Sequence, residues 1–181
     1  MIVMPSGTQP SLIADGVHAE AGLMETVIRF FQDDQWNCRV VETNWIRTAY
    51  RGGRGTWVCF AKVENDPPRF RFVSTMGLYI PPQNRPSVME YITRVNWGLP
   101  IGNFEMNLET GDVRFKTSLE LPDQPLTLPM IRSLVYINVH TIDHYYPGVM
   151  SILTCGFTPT TALARIESLP SDNPRICFIH D

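Results

Sequence analysis

Two histidines stand one helical turn apart in the sequence, with an acidic residue beside the second. His140, Asp143 and His144 lie in a stretch whose apolar spacing predicts a long helix. Imidazoles four residues apart on a helix can bind one metal ion, but the metalloprotease motif needs a Glu directly after the first His, and Thr141 stands there. We therefore expect no metal and no other cofactor. We expect the histidine pair to border a subunit or domain surface.

A glycine-rich stretch, Arg-Gly-Gly-Arg-Gly at residues 51–55, has the small residues that a phosphate loop uses. It lacks the Gly-Lys-Ser/Thr ending and stands between two predicted strands rather than before a helix, which favours a hairpin turn. The sequence also contains no Gly-x-Gly-x-x-Gly, and its strands do not alternate with helices, so a dinucleotide-binding fold is excluded.

The sequence carries no motif for nucleophilic or redox catalysis. There is no Gly-x-Ser-x-Gly elbow, and no cysteine has a histidine placed for nucleophilic catalysis. No Cys-x-x-Cys pair indicates a zinc ribbon or a thioredoxin-type site. Glu105 and Glu120 could form a catalytic carboxylate pair, but their alternation makes them solvent-facing residues of a hairpin. We therefore predict that the protein is not an enzyme. The cysteines, expected to be reduced, are Cys38, Cys59, Cys155 and Cys177.

Composition indicates one globular domain in the cytoplasm. The chain has 181 residues, of which 44% are hydrophobic and 18% charged. Its net charge of -3 argues against general attraction to nucleic acid or an anionic membrane. An RNA-stacking sheet would also carry aromatic residues on its strands, but it would have a basic surface. Residues 1–10 have neither the basic start nor the apolar stretch of a signal peptide, and no membrane-spanning run of eighteen apolar residues occurs.

The periodicity of the sequence predicts an α+β fold. Helical spacing marks residues 20–35, 84–98 and 127–146, with a kink or break at Pro147-Gly148 and a last short helix after Thr158. Between the first two helices lie three β-prone segments, the first of which, at residues 39–50, is either one interrupted strand or a small hairpin. The chain thus predicts a twisted antiparallel sheet of about five strands with helices packed on it, in the order α-β-β-β-α-β-β-α.

A hairpin after the second helix is the part of the sheet with the clearest pattern. Phe104, Met106 and Leu108 alternate with polar residues, residues 109–112 supply the turn, and a returning strand follows. The aromatic residues expected mainly in the core are Trp45, Trp57, Phe60, Phe70, Phe72, Trp97, Phe104 and Phe115.

The stretch Val-Asn-Trp-Gly-Leu-Pro-Ile-Gly-Asn-Phe-Glu at residues 95–105 and Gly-Asp-Val-Arg-Phe at 111–115 resemble the YbjN family of bacterial sensory-transduction regulators, in a form similar to its cyanobacterial members. Asn138, Tyr145, Pro147 and Gly148 fit the same resemblance, which covers roughly residues 20–153. It implies a fold similar to type III secretion chaperones, which are homodimers that hold partly unfolded clients and have no catalytic residues.

The resemblance and the absence of catalytic motifs together favour a non-enzymatic protein-interaction or chaperone-like regulatory module. We expect this module to act as a homodimer and to bind an unidentified protein partner. We expect a mobile arm at 1–17, a YbjN-like domain at 18–156, and a short helix and tail at 157–181. The dimer seam is expected in the hairpin or on the long helix. The alternative is a sensor that binds a small ligand between helix and sheet, lined by Arg69, Arg71 and Arg114. The residues expected at a partner or dimer surface are Asn103, Glu105, Arg114, Lys116, Met130, Ile137, His140 and His144.

Overall fold

The computed structural model describes residues 22–169, so the expected arm at 1–17 and all but the first residue of the expected tail at 169–181 lie outside the described residues. The helices are α1 (Leu23–Asp33), α2 (Arg85–Gly98), α3 (Leu128–Cys155) and α4 (Pro159–Glu167). The strands are β1 (Cys38–Glu42), β2 (Trp45–Arg51), β3 (Thr56–Asn65), β4 (Pro68–Tyr79), β5 (Asn103–Met106) and β6 (Asp112–Glu120).

The six strands form one antiparallel sheet in the order β1-β2-β3-β4-β6-β5. The predicted α+β class and element order are confirmed. The sheet has one strand more than the expected five because Thr43 and Asn44 turn the chain between β1 and β2, so the ambiguous first segment is a hairpin.

One face of the sheet carries the helices and the core. Along β3 and β4 every second side chain is buried beneath the helices, including Trp57, Cys59, Phe70 and Phe72. The intervening residues, such as Phe60 on β3, lie on the opposite face, which no described helix covers. Strand alternation therefore separates a packed face from an open face. None of the described helices is long and apolar enough to span a bilayer.

Of the kink or break predicted at Pro147-Gly148, the break does not occur, because α3 continues as one helix through Pro147. Thr127 caps the helix by accepting a hydrogen bond from the Met130 N–H, and Gly156 ends it in a left-handed conformation. Packing holds the middle of the helix: a Cβ on Gly148 would lie 2.0 Å from the Tyr91 hydroxyl of α2. That hydroxyl donates to the carbonyl oxygen of Tyr145 at 3.0 Å, so α2 is fixed against the turn that contains the proline.

Two apolar residues of the α2–β6 region do not lie in the core as their patterns predict. β5 ends at Met106 because the Asn107 side chain accepts hydrogen bonds from the N–H groups of Glu109 and Thr110 and starts the turn there. Leu108, expected on the buried face of the strand, is consequently in the turn and 57% exposed. Trp97, at the end of α2, is 94% exposed.

Candidate functional site

The acidic residue between the two histidines anchors the glycine-rich turn. The Asp143 carboxylate accepts hydrogen bonds from the N–H groups of Gly53 and Arg54, each at 3.0 Å, and from the Trp57 indole N–H at 3.1 Å. A Cβ on Gly52 would lie 2.2 Å from one carboxylate oxygen, so the turn needs glycine there. Residues 51–55 form the β2–β3 hairpin turn, as predicted, and their anion-binding amides are occupied by the chain's own carboxylate.

The two histidines lie in different environments. His140 is half-buried and stacks on the Tyr136 ring, with centroids 5.9 Å apart, while Tyr50 approaches it edge-on. His144 is only 4% exposed and lies against the Tyr145 ring, so it is a core residue of the single chain and not part of its surface. Among residues 22–169 no three His, Cys, Asp or Glu side chains are grouped to hold a metal ion.

A buried amide on α3 joins the helix to two neighbouring strands of the sheet, β4 and β6. The Asn138 amide donates to the carbonyl oxygens of Phe72 and Phe115, each at 3.1 Å, and accepts from the Ser74 hydroxyl at 2.6 Å. The buried Cys59 thiol lies 3.1 Å from the same hydroxyl, and burial raises its pKa to about 11. A thiol with so high a pKa is a poor nucleophile, so this polar cluster is suited to holding the fold and not to catalysis.

Four of the predicted partner-surface residues form one ion cluster on the open face of the hairpin. The Glu105 carboxylate accepts hydrogen bonds from Asn103, Arg114 and Lys116. Burial opposes ionisation of Glu105, but the hydrogen bonds from Lys116, Arg114 and Asn103 outweigh it and lower the pKa to about 2. The cluster therefore keeps its charge at neutral pH. Glu105 and Glu120 do not form a catalytic pair, because Glu120 instead accepts from Arg69 at 2.8 Å.

The arginines of the proposed ligand pocket lie on the open face, not between helix and sheet. Arg69 and Arg71 both face Glu64, at 3.9 Å and 2.8 Å. Hydrogen bonding to Lys62 is the main cause of the lowered pKa of Glu64, to which both arginines add. Arg114 binds Glu105 at 2.7 Å. Each guanidinium thus already has a carboxylate partner, so the three do not form an anion pocket.

An apolar groove of about 370 Å³ crosses the open face of the sheet. Its floor is formed by Trp45, Phe60 and Val73 of the three successive strands β2, β3 and β4, with Val41 of β1 at one end. The Trp45 and Phe60 rings meet edge to face at 6.0 Å. Trp45 and Phe60, which the alternation pattern assigned to the core, are therefore half-buried residues of this surface. The polar lining residues are Glu42, Thr75, Asp112 and Arg114.

The β5 edge of the sheet is closed by a side chain of α2. The Asn96 amide accepts from the Phe104 N–H at 2.7 Å and donates to the Phe104 carbonyl oxygen at 3.0 Å. The amide thus makes both hydrogen bonds that a neighbouring strand would make at this position. The hairpin edge that was expected to pair in a dimer is already occupied at its centre.

The long helix also offers little free surface. Met130 is half-buried and packs against the core, and Ile137 is half-buried. Between residues 133 and 153 every residue of α3 is buried or half-buried. Met130 and Ile137, the two apolar residues of α3 expected at a partner or dimer surface, are thus largely covered by the chain itself.

These features define a small α+β domain with one packed face and one open face on a single antiparallel sheet. The YbjN family, described as "Putative bacterial sensory transduction regulator", matches residues 24–150, and the chain belongs to this family. The family that residues 95–105 predicted is thereby confirmed. No curated protein matches the chain.

Among solved structures, the chain is similar to one titled "Structure of the HopA1-SchA Chaperone-Effector Complex". The two share 10% identity with a TM-score of 0.44, over 65% of this chain and 87% of the other.

Three residues that organise these sites carried no motif. In the sequence, Asp143 stands out only as a possible metal ligand, and Asn96 and Asn138 only as parts of the family resemblance. The available signal was a polar residue on an otherwise apolar helical face, which in Asn138 and Asp143 marks a buried hydrogen-bond anchor.

Proposed function

We propose that the protein is a non-enzymatic, chaperone-like regulatory module that binds another protein on the open face of its sheet and acts as a homodimer. The observation that carries the proposal is the apolar groove formed by Val41, Trp45, Phe60 and Val73. A half-exposed tryptophan and phenylalanine side by side on a sheet face are the residue types that anchor protein partners.

The shape of the groove favours a protein over a small ligand. Its lining residues come from β1, β2, β3, β4 and β6, so it is a long surface open to solvent and not an enclosed cavity. Small-molecule sites are usually enclosed and contain a few convergent polar groups. Here the nearby arginine, Arg114, is already bound by Glu105. An extended segment of a partly unfolded protein fits such a surface better.

A binding experiment with a permanently unfolded protein tests the proposal. We would titrate reduced and carboxymethylated lactalbumin into the full chain and measure affinity by calorimetry. Phe60→Ala should weaken binding at least fivefold, because it removes the central ring of the groove. Trp97→Ala is the matched control: it removes an exposed aromatic ring outside the groove and should leave binding unchanged. Equal effects of the two substitutions, or no binding by the natural protein, would refute the proposed surface.

A further inference from the structure

Three arginines on the open face of the sheet form no ion pair within residues 22–169. They are Arg39 of β1 and Arg47 and Arg51 of β2, and all three residues are exposed. Arg39 lies directly opposite Arg47, and Arg51 follows Arg47 by four residues, so alternation places the three on one face. We call these residues the arginine strip.

The other basic residues of the open face each have a carboxylate partner. The partners are Glu64 for Lys62, Arg69 and Arg71, and Glu105 for Arg114 and Lys116. Positive charge without a carboxylate partner is therefore confined, on this face of the described chain, to the arginine strip.

The position of Arg47 is unfavourable for the chain alone. Arg47 lies between Arg39 and Phe60, each directly opposite it on a neighbouring strand. Directly opposed like charges destabilise an antiparallel pair. Charges on an edge strand protect that edge from pairing, which accounts for Arg39 but not for Arg47, because β2 is an inner strand. An anionic group bound between the two guanidinium groups would remove the repulsion.

The arginine strip lies beside the apolar groove. Phe60, the central ring of the groove, is the cross-strand neighbour of Arg47, with Cβ atoms about 5 Å apart. Val73 is the next residue in the same row, so it lies about 10 Å from Arg47, which is the length of about three residues of an extended chain. One bound segment can therefore place an apolar side chain in the groove and an acidic side chain against Arg47.

The carboxylates of the open face determine where such an acid can bind. Glu42 and Asp112 line the groove at its β1 and β6 ends and form no ion pair within residues 22–169, so they repel an acidic side chain from the groove itself. A nucleic acid would bring a continuous line of phosphates across these groups and across the other carboxylates of the face, whereas a protein segment can alternate acidic and apolar residues. The other carboxylates are Glu64, Glu105 and Glu120.

We propose that the open face binds an acidic segment of another protein, in which a bulky apolar side chain enters the groove and an Asp or Glu side chain about three residues away binds Arg47 and Arg39. This inference rests on the proposed function and adds the chemical class of the partner. The planar guanidinium group of arginine is suited to this role, because it binds a carboxylate through two parallel hydrogen bonds. Arg51 extends the strip to a second acidic residue of the segment.

Two unfolded probes that differ only in charge test the partner chemistry. Reduced lactalbumin blocked with iodoacetate carries a carboxylate on each cysteine, and the same protein blocked with iodoacetamide carries a neutral amide of nearly the same size. In calorimetric titration, the full chain should bind the carboxymethylated probe at least fivefold more tightly than the neutral one. The net charge of -3 on the chain would favour the neutral probe, so a preference for the acidic probe reports a local basic site.

Charge reversal at Arg47 assigns the preference to the arginine strip. Arg47→Glu should reduce it to less than twofold, because the substitution removes one positive charge and places a carboxylate opposite Arg39. The variant should fold as the natural protein does, because an opposite-charge pair replaces a like-charge pair. Arg29→Glu is the matched control and should keep the full preference, because Arg29 is an exposed arginine of α1 that also forms no ion pair within residues 22–169.

The possible outcomes separate the partner chemistry from the groove. If the natural protein did not prefer the carboxymethylated probe, while Phe60→Ala weakened binding of both probes, the acidic partner would be overturned and the proposed function would stand. A preference that Arg47→Glu left unchanged would overturn the arginine strip as its source. Tighter binding of oligouridylate than of the carboxymethylated probe, lost in Arg47→Glu, would assign the strip to nucleic acid and overturn the proposal. Failure to bind either form of lactalbumin would refute the proposed function together with this inference.

Discussion

The carboxylate of Asp143 takes the place that a bound anion has in a phosphate loop. It accepts two backbone N–H groups of the turn and the Trp57 indole N–H, and it lies 3.9 Å from the Arg54 guanidinium. Because the residue is buried, loss of its charge leaves donors without an equivalent acceptor. One side chain of α3 thereby fixes the hairpin that begins β3.

Asp143→Asn should lower the free energy of unfolding by about 2–4 kcal/mol, because an amide presents a donor where the carboxylate accepts. Urea unfolding followed by circular dichroism would measure the change. Asp33→Asn, the same substitution at an exposed position of α1, should change stability by less than about 0.5 kcal/mol. Equal stability losses in the two variants would show that the contacts of Asp143 contribute little.

The pKa of Glu105 makes the hairpin sensitive to acid. Its pKa is lowered from 4.5 to about 2 in the folded chain, so its stabilising effect is complete above pH 4.5 and is lost as the pH falls toward 2. Between pH 6 and pH 3, Glu105→Gln should lose less stability than the natural protein, by about 1–2 kcal/mol after allowance for solvent screening. Urea unfolding at the two pH values would show the difference. Glu109→Gln, in the exposed turn, should retain the full acid sensitivity of the natural protein.

At the scale of elements, the crossing of α2 and α3 depends on the missing side chain of Gly148. Gly148→Ala would put a methyl group into the Tyr91 ring, whose nearest atoms are 2.0 Å and 2.3 Å from the Cβ position. We expect a loss of about 1–3 kcal/mol from overpacking, although alanine favours helix over glycine. Thermal unfolding would measure the change. In the same experiment Gly98→Ala, at the end of α2 with open space around its Cβ position, should be neutral or slightly stabilising. A stabilised Gly148→Ala variant would contradict the close crossing.

The elements that periodicity predicted well are those in which one face is buried along the whole length. The buried positions Val88, Tyr91, Ile92 and Val95 of α2 follow helical spacing, and the alternation of β6 matches its burial. The failures lie where a single tertiary contact overrides the local pattern. Pro147 predicts a break, yet the fit between Gly148 and Tyr91 helps hold the helix together, and a side-chain contact between distant segments leaves no periodic signal.

The candidate site was less predictable than the fold for a related reason. Alternation shows that successive residues of one strand, such as Cys59 and Phe60, lie on opposite faces of the sheet, but it does not show which face the helices cover. Both faces of β3 and β4 carry large apolar residues, so the sequence pattern predicts that both faces are buried in the core. The register of β1 against β2 depends on a bulge between Val40 and Glu42, and the residue types of β1 do not specify that bulge.

At the scale of the whole molecule, the proposed function assigns stability and partner binding to opposite faces of one sheet. Phe72 is fully buried under the helices and contacts Phe31 and Trp36, whereas Phe60, on the neighbouring strand, contacts Trp45 on the open face. The helical layer can therefore hold the fold while the open face remains free to bind. The hydrophobic surface left open by this division would be a disadvantage for a protein without a partner.

A matched pair of substitutions should separate the two faces. Phe72→Ala should cost about 3–5 kcal/mol of unfolding free energy, because it leaves a cavity in the core. Phe60→Ala should cost at most about 1.5 kcal/mol, because the ring is already partly solvated, but it should weaken binding of the unfolded lactalbumin probe. Urea unfolding and calorimetric titration of both variants, at a temperature where Phe72→Ala remains folded, would give the two quantities side by side. If Phe60→Ala lost as much stability as Phe72→Ala and kept its affinity for the probe, the open face would be a second core surface and not a binding surface.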